Sequence, residues 1–150
     1  MANTAASPQV SSAPAWRLPL LIVGDALCFL LFAGLGRDTH GEATGLGALG
    51  QVALTALPFA LAWFIVSPWL GVYRRAATDT IRRMLTRTWL AWVCAYPVAL
   101  VLRVLLAPDH QMPITFAIVI LLANAVILGL WRLAVALGEW LLARRAVARA

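Results

Sequence analysis

The 150 residues are 63% hydrophobic and only 12% charged, with a mean hydropathy of +0.86, more apolar surface than a soluble domain of this size buries. The net charge is +6 and every basic residue is arginine, but the arginines are parcelled out between apolar runs rather than spread over one face, which excludes a nucleic-acid binder. There is no Gly-x-Ser-x-Gly elbow, no phosphate-binding glycine loop, no HExxH and no close pair of carboxylates, so the sequence points away from an enzyme.

Residues 1–15 hold Ala, Ser, Thr, Asn and Pro without a charged side chain and read as a disordered tail. The domain over 16–145 contains four apolar segments, roughly 18–36, 46–69, 88–107 and 114–134. A bilayer core needs about 20 helical residues, and lipid leaves no solvent for an open strand, so each segment predicts a spanning helix. The expected fold is all-α, an integral membrane four-helix bundle. The first segment is too long for the apolar core of a signal peptide, and Asp25 interrupts it, so it is expected to stay. Residues 135–150 are expected to form an interfacial helix and a basic tail. Cys28 and Cys94 both lie in apolar runs and read as small core residues.

Ten of the twelve arginines fall on one side of this topology: Arg17, the middle loop, Arg132 and the C-terminal end. The other side carries Arg37 and Arg103 against Asp38, Glu42 and Asp109. The positive-inside rule then places both termini and the middle loop in the cytoplasm of a cell-membrane protein. Trp16, Trp69, Trp89 and Trp140 fall at the same inner boundary as an aromatic belt. In the middle loop Asp79 precedes Arg83 by one helical turn, so the third helix is expected to start near Thr80, before the membrane. Arg74, Arg75, Arg82, Arg83 and Arg87 would face anionic headgroups or a protein partner.

Asp25 is the most informative residue, because a carboxylate in hydrocarbon costs several kcal/mol unless it is neutralised or partnered. Counting about 1.5 Å per residue brings Thr55, Tyr96 and Asn124 to its depth, one from each other helix, as a candidate polar layer. Arg132 is placed at the inner interface as a snorkelling anchor with Asp25 within its upward reach. Pro58 and Pro97 lie inside the second and third helices, where each can kink its helix or be tolerated as proline commonly is in membrane helices. A second cluster, Arg37, Asp38, His40, Arg103, Asp109 and His110, lies at the outer face, where an Arg103–carboxylate pair would fasten the two outer loops. The two histidines match no metal-ligand spacing, and no cofactor or metal is expected.

Gly24-Asp25, Phe29, Phe32-Ala33, Gly36-Arg37 and His40-Gly41, then Thr55-Ala56, Pro58-Phe59, Trp63 and Arg103, resemble the family catalogued as domain of unknown function 3054. That resemblance covers most of 18–142. It implies a small multi-helix membrane protein and carries no activity with it.

Two functions are expected from these residues. One is proton or small-solute handling through Asp25, with an oligomer enlarging the enclosed volume. The other is a non-transporting scaffold or accessory subunit that binds a partner or anionic lipid through its arginine-rich loop. The topology has its own test. After Cys28 and Cys94 are replaced by alanine, a membrane-impermeant maleimide should label Arg37→Cys from outside intact cells, and Arg75→Cys only after lysis. The reverse pattern would invert the orientation.

Overall fold

The protein is described by a computed structural model over residues 14–38, 46–75, 78–106 and 113–148. Its described residues form four helices and no strand: α1 Arg17–Asp38, α2 Leu46–Val66, α3 Ile81–Leu106 and α4 Ile114–Val147. All four are long and apolar enough to cross a bilayer. Neighbours in sequence pack side by side, and α4 closes against α1, while the diagonal pair α1 and α3 meets only through side chains that reach into the centre, Phe29 against Trp92. The bundle is therefore a four-cornered ring around one core.

Each helix buries one stripe. On α1 it runs through Arg17, Leu21, Asp25, Phe29, Phe32 and Ala33, and on α4 through Ile120, Asn124, Leu128, Arg132 and Val135. These spacings of three and four residues are those of a single helical face. The core is aromatic: Phe29 lies against both Trp63 and Trp92, and Phe32 meets Phe59 edge-on. The outer surface is apolar as well, with Leu54 70%, Leu130 62% and Val23 57% exposed. Such a surface is unfavourable in water and ordinary against lipid.

One helix ends short of its apolar run, and another carries on through the residues expected to form an interfacial helix. α2 stops at Val66, three residues before the end of its apolar run, because Pro68 restrains Ser67 and lacks the N–H to continue. The chain turns through Ser67–Tyr73, with Gly71 at a φ of 70° that favours glycine. That turn returns Val72, fully buried, and Tyr73 to the bundle. At the other end, α4 continues without a break to Val147, well beyond the 134 expected for its spanning part. α3 starts as expected: the Thr80 hydroxyl accepts the Arg83 backbone N–H at 3.3 Å, and Asp79 takes the Arg83 guanidinium with both oxygens. Both α2 and α3 remain helical through Pro58 and Pro97. Of the two free cysteines, Cys28 is buried, whereas Cys94 lies on the exposed face of α3 and not in the core.

α3 and α4 are stitched by a regular series of bonds. Trp89, Trp92 and Tyr96 donate from successive turns of α3 to the Ala125, Leu121 and Ala117 carbonyls of α4, at 3.1, 3.0 and 2.7 Å. The acceptors step by four as the donors step by three or four, as two antiparallel helices in register require. Tyr96→Phe keeps the ring and removes one donor. It is expected to lower the unfolding free energy in detergent micelles by about 1 kcal/mol. An unchanged unfolding curve would mean that the stitch contributes nothing.

Candidate functional site

Asp25 has no exposed surface, and three donors converge on its Oδ2 atom. Arg132 Nη2 from α4 lies at 2.5 Å, Trp63 Nε1 from α2 at 2.9 Å, and the Tyr73 hydroxyl from the α2–α3 turn at 2.9 Å. Arg132 is itself fully buried. The cost of taking a carboxylate and a guanidinium out of water is offset only when they meet and the carboxylate gathers further donors. The Trp63 N–H is shared with the Tyr73 oxygen at 3.1 Å, and the Ser67 hydroxyl approaches that oxygen at 3.5 Å. The Arg132 guanidinium also lies 5.4 Å from the centre of the Tyr73 ring. Burial, and then the Asp25 carboxylate, hold the Tyr73 phenol protonated well above the usual tyrosine range, so at neutral pH it acts as a donor.

A second, partly buried pair sits two turns away. Arg17, 2% exposed, bonds Glu139 of α4 through Nε and the Thr78 hydroxyl through Nη2. Thr78 in turn donates to the Arg74 carbonyl at 2.9 Å. The two pairs have opposite sense. α1 supplies the cation at Arg17 and the acid at Asp25, while α4 supplies the acid at Glu139 and the cation at Arg132. A shift of α1 by two turns would bring like charges together, so the pairs fix the register of these helices. Both also hold the middle loop, one through Tyr73 and one through Thr78.

Tight approach supports the same seam. A methyl group on Gly24 would overlap the Trp131 indole, so only glycine lets that ring lie across α1 beside Asp25. Asp25 Oδ1 and Arg132 Nε and Nη1 are buried without a hydrogen-bond partner among the described residues.

The residues expected to share the depth of Asp25 bond elsewhere. Thr55 donates to the Gln51 carbonyl of its own helix, Tyr96 to Ala117, and Asn124 to Ile120 one turn back. Arg132 is an interior partner of the acid, not an interfacial anchor. The count from segment ends misses by the same two turns on both helices: the level of Asp25 is Trp63 and not Thr55 on α2, and Arg132 and not Asn124 on α4. Trp63 and Tyr73 were not singled out as donors. The signal available was chemical: a buried acid requires N–H or O–H groups, and both residues lie near the end of the second apolar run, on the side where Asp25 enters.

Of the outer cluster, Arg103 is half-buried in the last turn of α3. Arg37 and Asp38 end α1, and the placement of their side chains, like His40, Glu42, Asp109 and His110, lies outside the described residues. Arg74, Arg75, Arg82, Arg83 and Arg87 are all exposed at the end of the bundle that holds the Arg17–Glu139 pair. Arg144 and Arg145 join them, the former 3.9 Å from the centre of the Trp140 ring.

The family model described as protein of unknown function (DUF3054) matches residues 22–135, more than half of the chain. The chain belongs to the DUF3054 family. Asp25, Trp63, Tyr73 and Arg132 all lie within the DUF3054 segment, whereas Arg17 and Glu139 lie outside it. No curated protein and no solved structure matches the chain.

Removing one member of the central pair leaves a buried charge alone. Arg132→Met is therefore expected to destabilise the protein by about 3–5 kcal/mol. The double variant Asp25→Asn with Arg132→Met should recover much of that loss. Thermal unfolding in detergent measures both, and a double variant as unstable as the sum of the singles would show that the pair is not coupled.

Proposed function

We propose that this protein is a non-transporting membrane module whose basic end faces the cytoplasm and lies on anionic phospholipid headgroups. The observation that carries the reading is the direction of the polar contacts of Asp25. They run to Arg132, to Trp63 and to the turn that leads into the arginine-rich loop. The next turns toward the opposite end are occupied by buried Phe29, Phe32, Phe59 and Trp92. A proton route needs a succession of polar groups, and this stretch of core offers Asn124, turned to the Ile120 carbonyl, among rings. The network acts as a clamp: one buried and one partly buried ion pair hold the middle loop against the bundle. Around that loop stand Arg74, Arg75, Arg82, Arg83, Arg87, Arg144 and Arg145, all exposed. Each arginine near an anionic surface contributes about 1 kcal/mol, and the attraction fades with salt.

A second reading, proton handling through Asp25, is favoured by one observation. Asp25 Oδ1 and two Arg132 nitrogens are buried without partners among the described residues, so the pair has unused bonding capacity.

One set of proteoliposomes separates the two. Spin-labelled phosphatidylglycerol should associate with the protein more strongly than spin-labelled phosphatidylcholine, and the preference should shrink as salt rises from 0.1 to 1 M. An imposed pH gradient should decay no faster than in empty vesicles. Equal association of the two lipids would overturn the headgroup reading. A proton flux abolished by Asp25→Asn would establish the other.

A further inference from the structure

The arginines of the basic end are not equivalent. A cavity of about 520 Å³ at the start of α3 is lined by Thr80, Arg82, Arg83, Thr86 and Arg87. Two of its guanidinium groups are held in place by the fold. Arg83 is clamped by Asp79, and Arg87 donates to the Leu70 carbonyl at 3.2 Å. Arg82, by contrast, has no ion-pair or side-chain hydrogen-bond partner among the described residues, although it sits beside both. The Thr86 hydroxyl donates to the Arg82 carbonyl at 2.8 Å, and the Thr80 hydroxyl is engaged by the Arg83 N–H. Three guanidinium groups around one small space make a receptor for an oxyanion that accepts several charge-assisted hydrogen bonds, and phosphate fits it.

A groove of about 400 Å³ runs alongside, between α3 and α4. Leu85, Trp89, Leu122, Val126, Gly129 and Leu133 line it. Gly129 makes it deep: a methyl there would meet the Trp89 indole nitrogen at 3.1 Å, and that indole is fixed by its bond to the Ala125 carbonyl. Leu85 and Trp89 lie three and seven residues after Arg82, hence on the same face of α3. An apolar slot therefore starts one turn below the unpaired guanidinium, and the separation from Arg82 to Trp89 is about 10 Å along the helix.

We propose that this corner binds a single anionic phospholipid, its phosphate between Arg82 and Arg87 and an acyl chain in the α3–α4 groove. Charge complementarity sets the head, and the continuity of face between Arg82 and Trp89 sets the chain. This deepens the headgroup reading above and rests on it, but adds a defined place and a defined occupant.

The test uses the full chain purified in detergent, with retained lipid counted by native mass spectrometry after addition of phosphatidylglycerol or phosphatidylcholine. Arg82→Gln alters an exposed side chain, and Val126→Trp fills the groove from its exposed wall. Each should weaken phosphatidylglycerol retention about fivefold. Arg145→Gln, on the same end but away from the cavity, should change it by less than about twofold. Equal losses for Arg82→Gln and Arg145→Gln would overturn the site while leaving the platform intact. A wild type indifferent between the two lipids would overturn both. Displacement of the lipid by millimolar inorganic phosphate would assign the cavity to the free anion instead. If Val126→Trp leaves retention unchanged but alters the oligomeric state, the groove belongs to a second copy of the chain.

Discussion

A charge pair without access to water governs the rest of the structure. Asp25 and Arg132 are each stable inside the bundle only because the other is there, and because Trp63 and Tyr73 complete the coordination of the carboxylate. That requirement draws three donors, from α2, α4 and the turn between α2 and α3, to a single oxygen atom of α1. It explains why α1 and α4, the outermost helices in sequence, close the ring, since hydrophobic contact alone does not distinguish one apolar face from another in lipid. It also explains why the chain folds back after Pro68: the tyrosine has to reach the acid.

The second pair, Arg17 with Glu139, turns attraction into specificity. A single buried pair admits several rotations and offsets of two helices, whereas two pairs of opposite sense admit one. Buried ionic groups contribute little net stability compared with well-packed apolar side chains, and their better-attested use is to select one arrangement among many. In this bundle the selected arrangement also immobilises the segment between α2 and α3 through Tyr73 and Thr78. Stability, register and the presentation of the arginine loop are thus joined in one set of contacts.

Much of this fold was legible in the residues themselves. Length and hydropathy announce four helices, and Asp25 stands out as an acid in need of partners. The start of α3 near Thr80 followed from ordinary capping and one-turn ion pairing. What escaped was the identity of the partners. A depth counted from the ends of apolar runs is off by about two turns here, from Trp63 to Thr55 on α2 and from Arg132 to Asn124 on α4. Tryptophan reads from sequence as an interfacial group, although it carries a donor that burial obliges it to use. Hydropathy scales register Trp63 and Tyr73 as bulk, and their N–H and O–H become visible only when a specific acceptor is sought.

The stitch between α3 and α4 has a mechanical consequence. Its acceptors at 117, 121 and 125 are main-chain oxygens, which every residue type supplies, so the side chains at those positions can vary without opening it. Sliding is a different matter. Because equivalent carbonyls recur along the helix only once per turn, a small offset leaves all three donors unsatisfied, while a displacement of about 5.4 Å re-seats most of them. The α3–α4 hairpin therefore behaves like a toothed rack with discrete stops, and any relative movement of these two helices proceeds by whole turns or not at all.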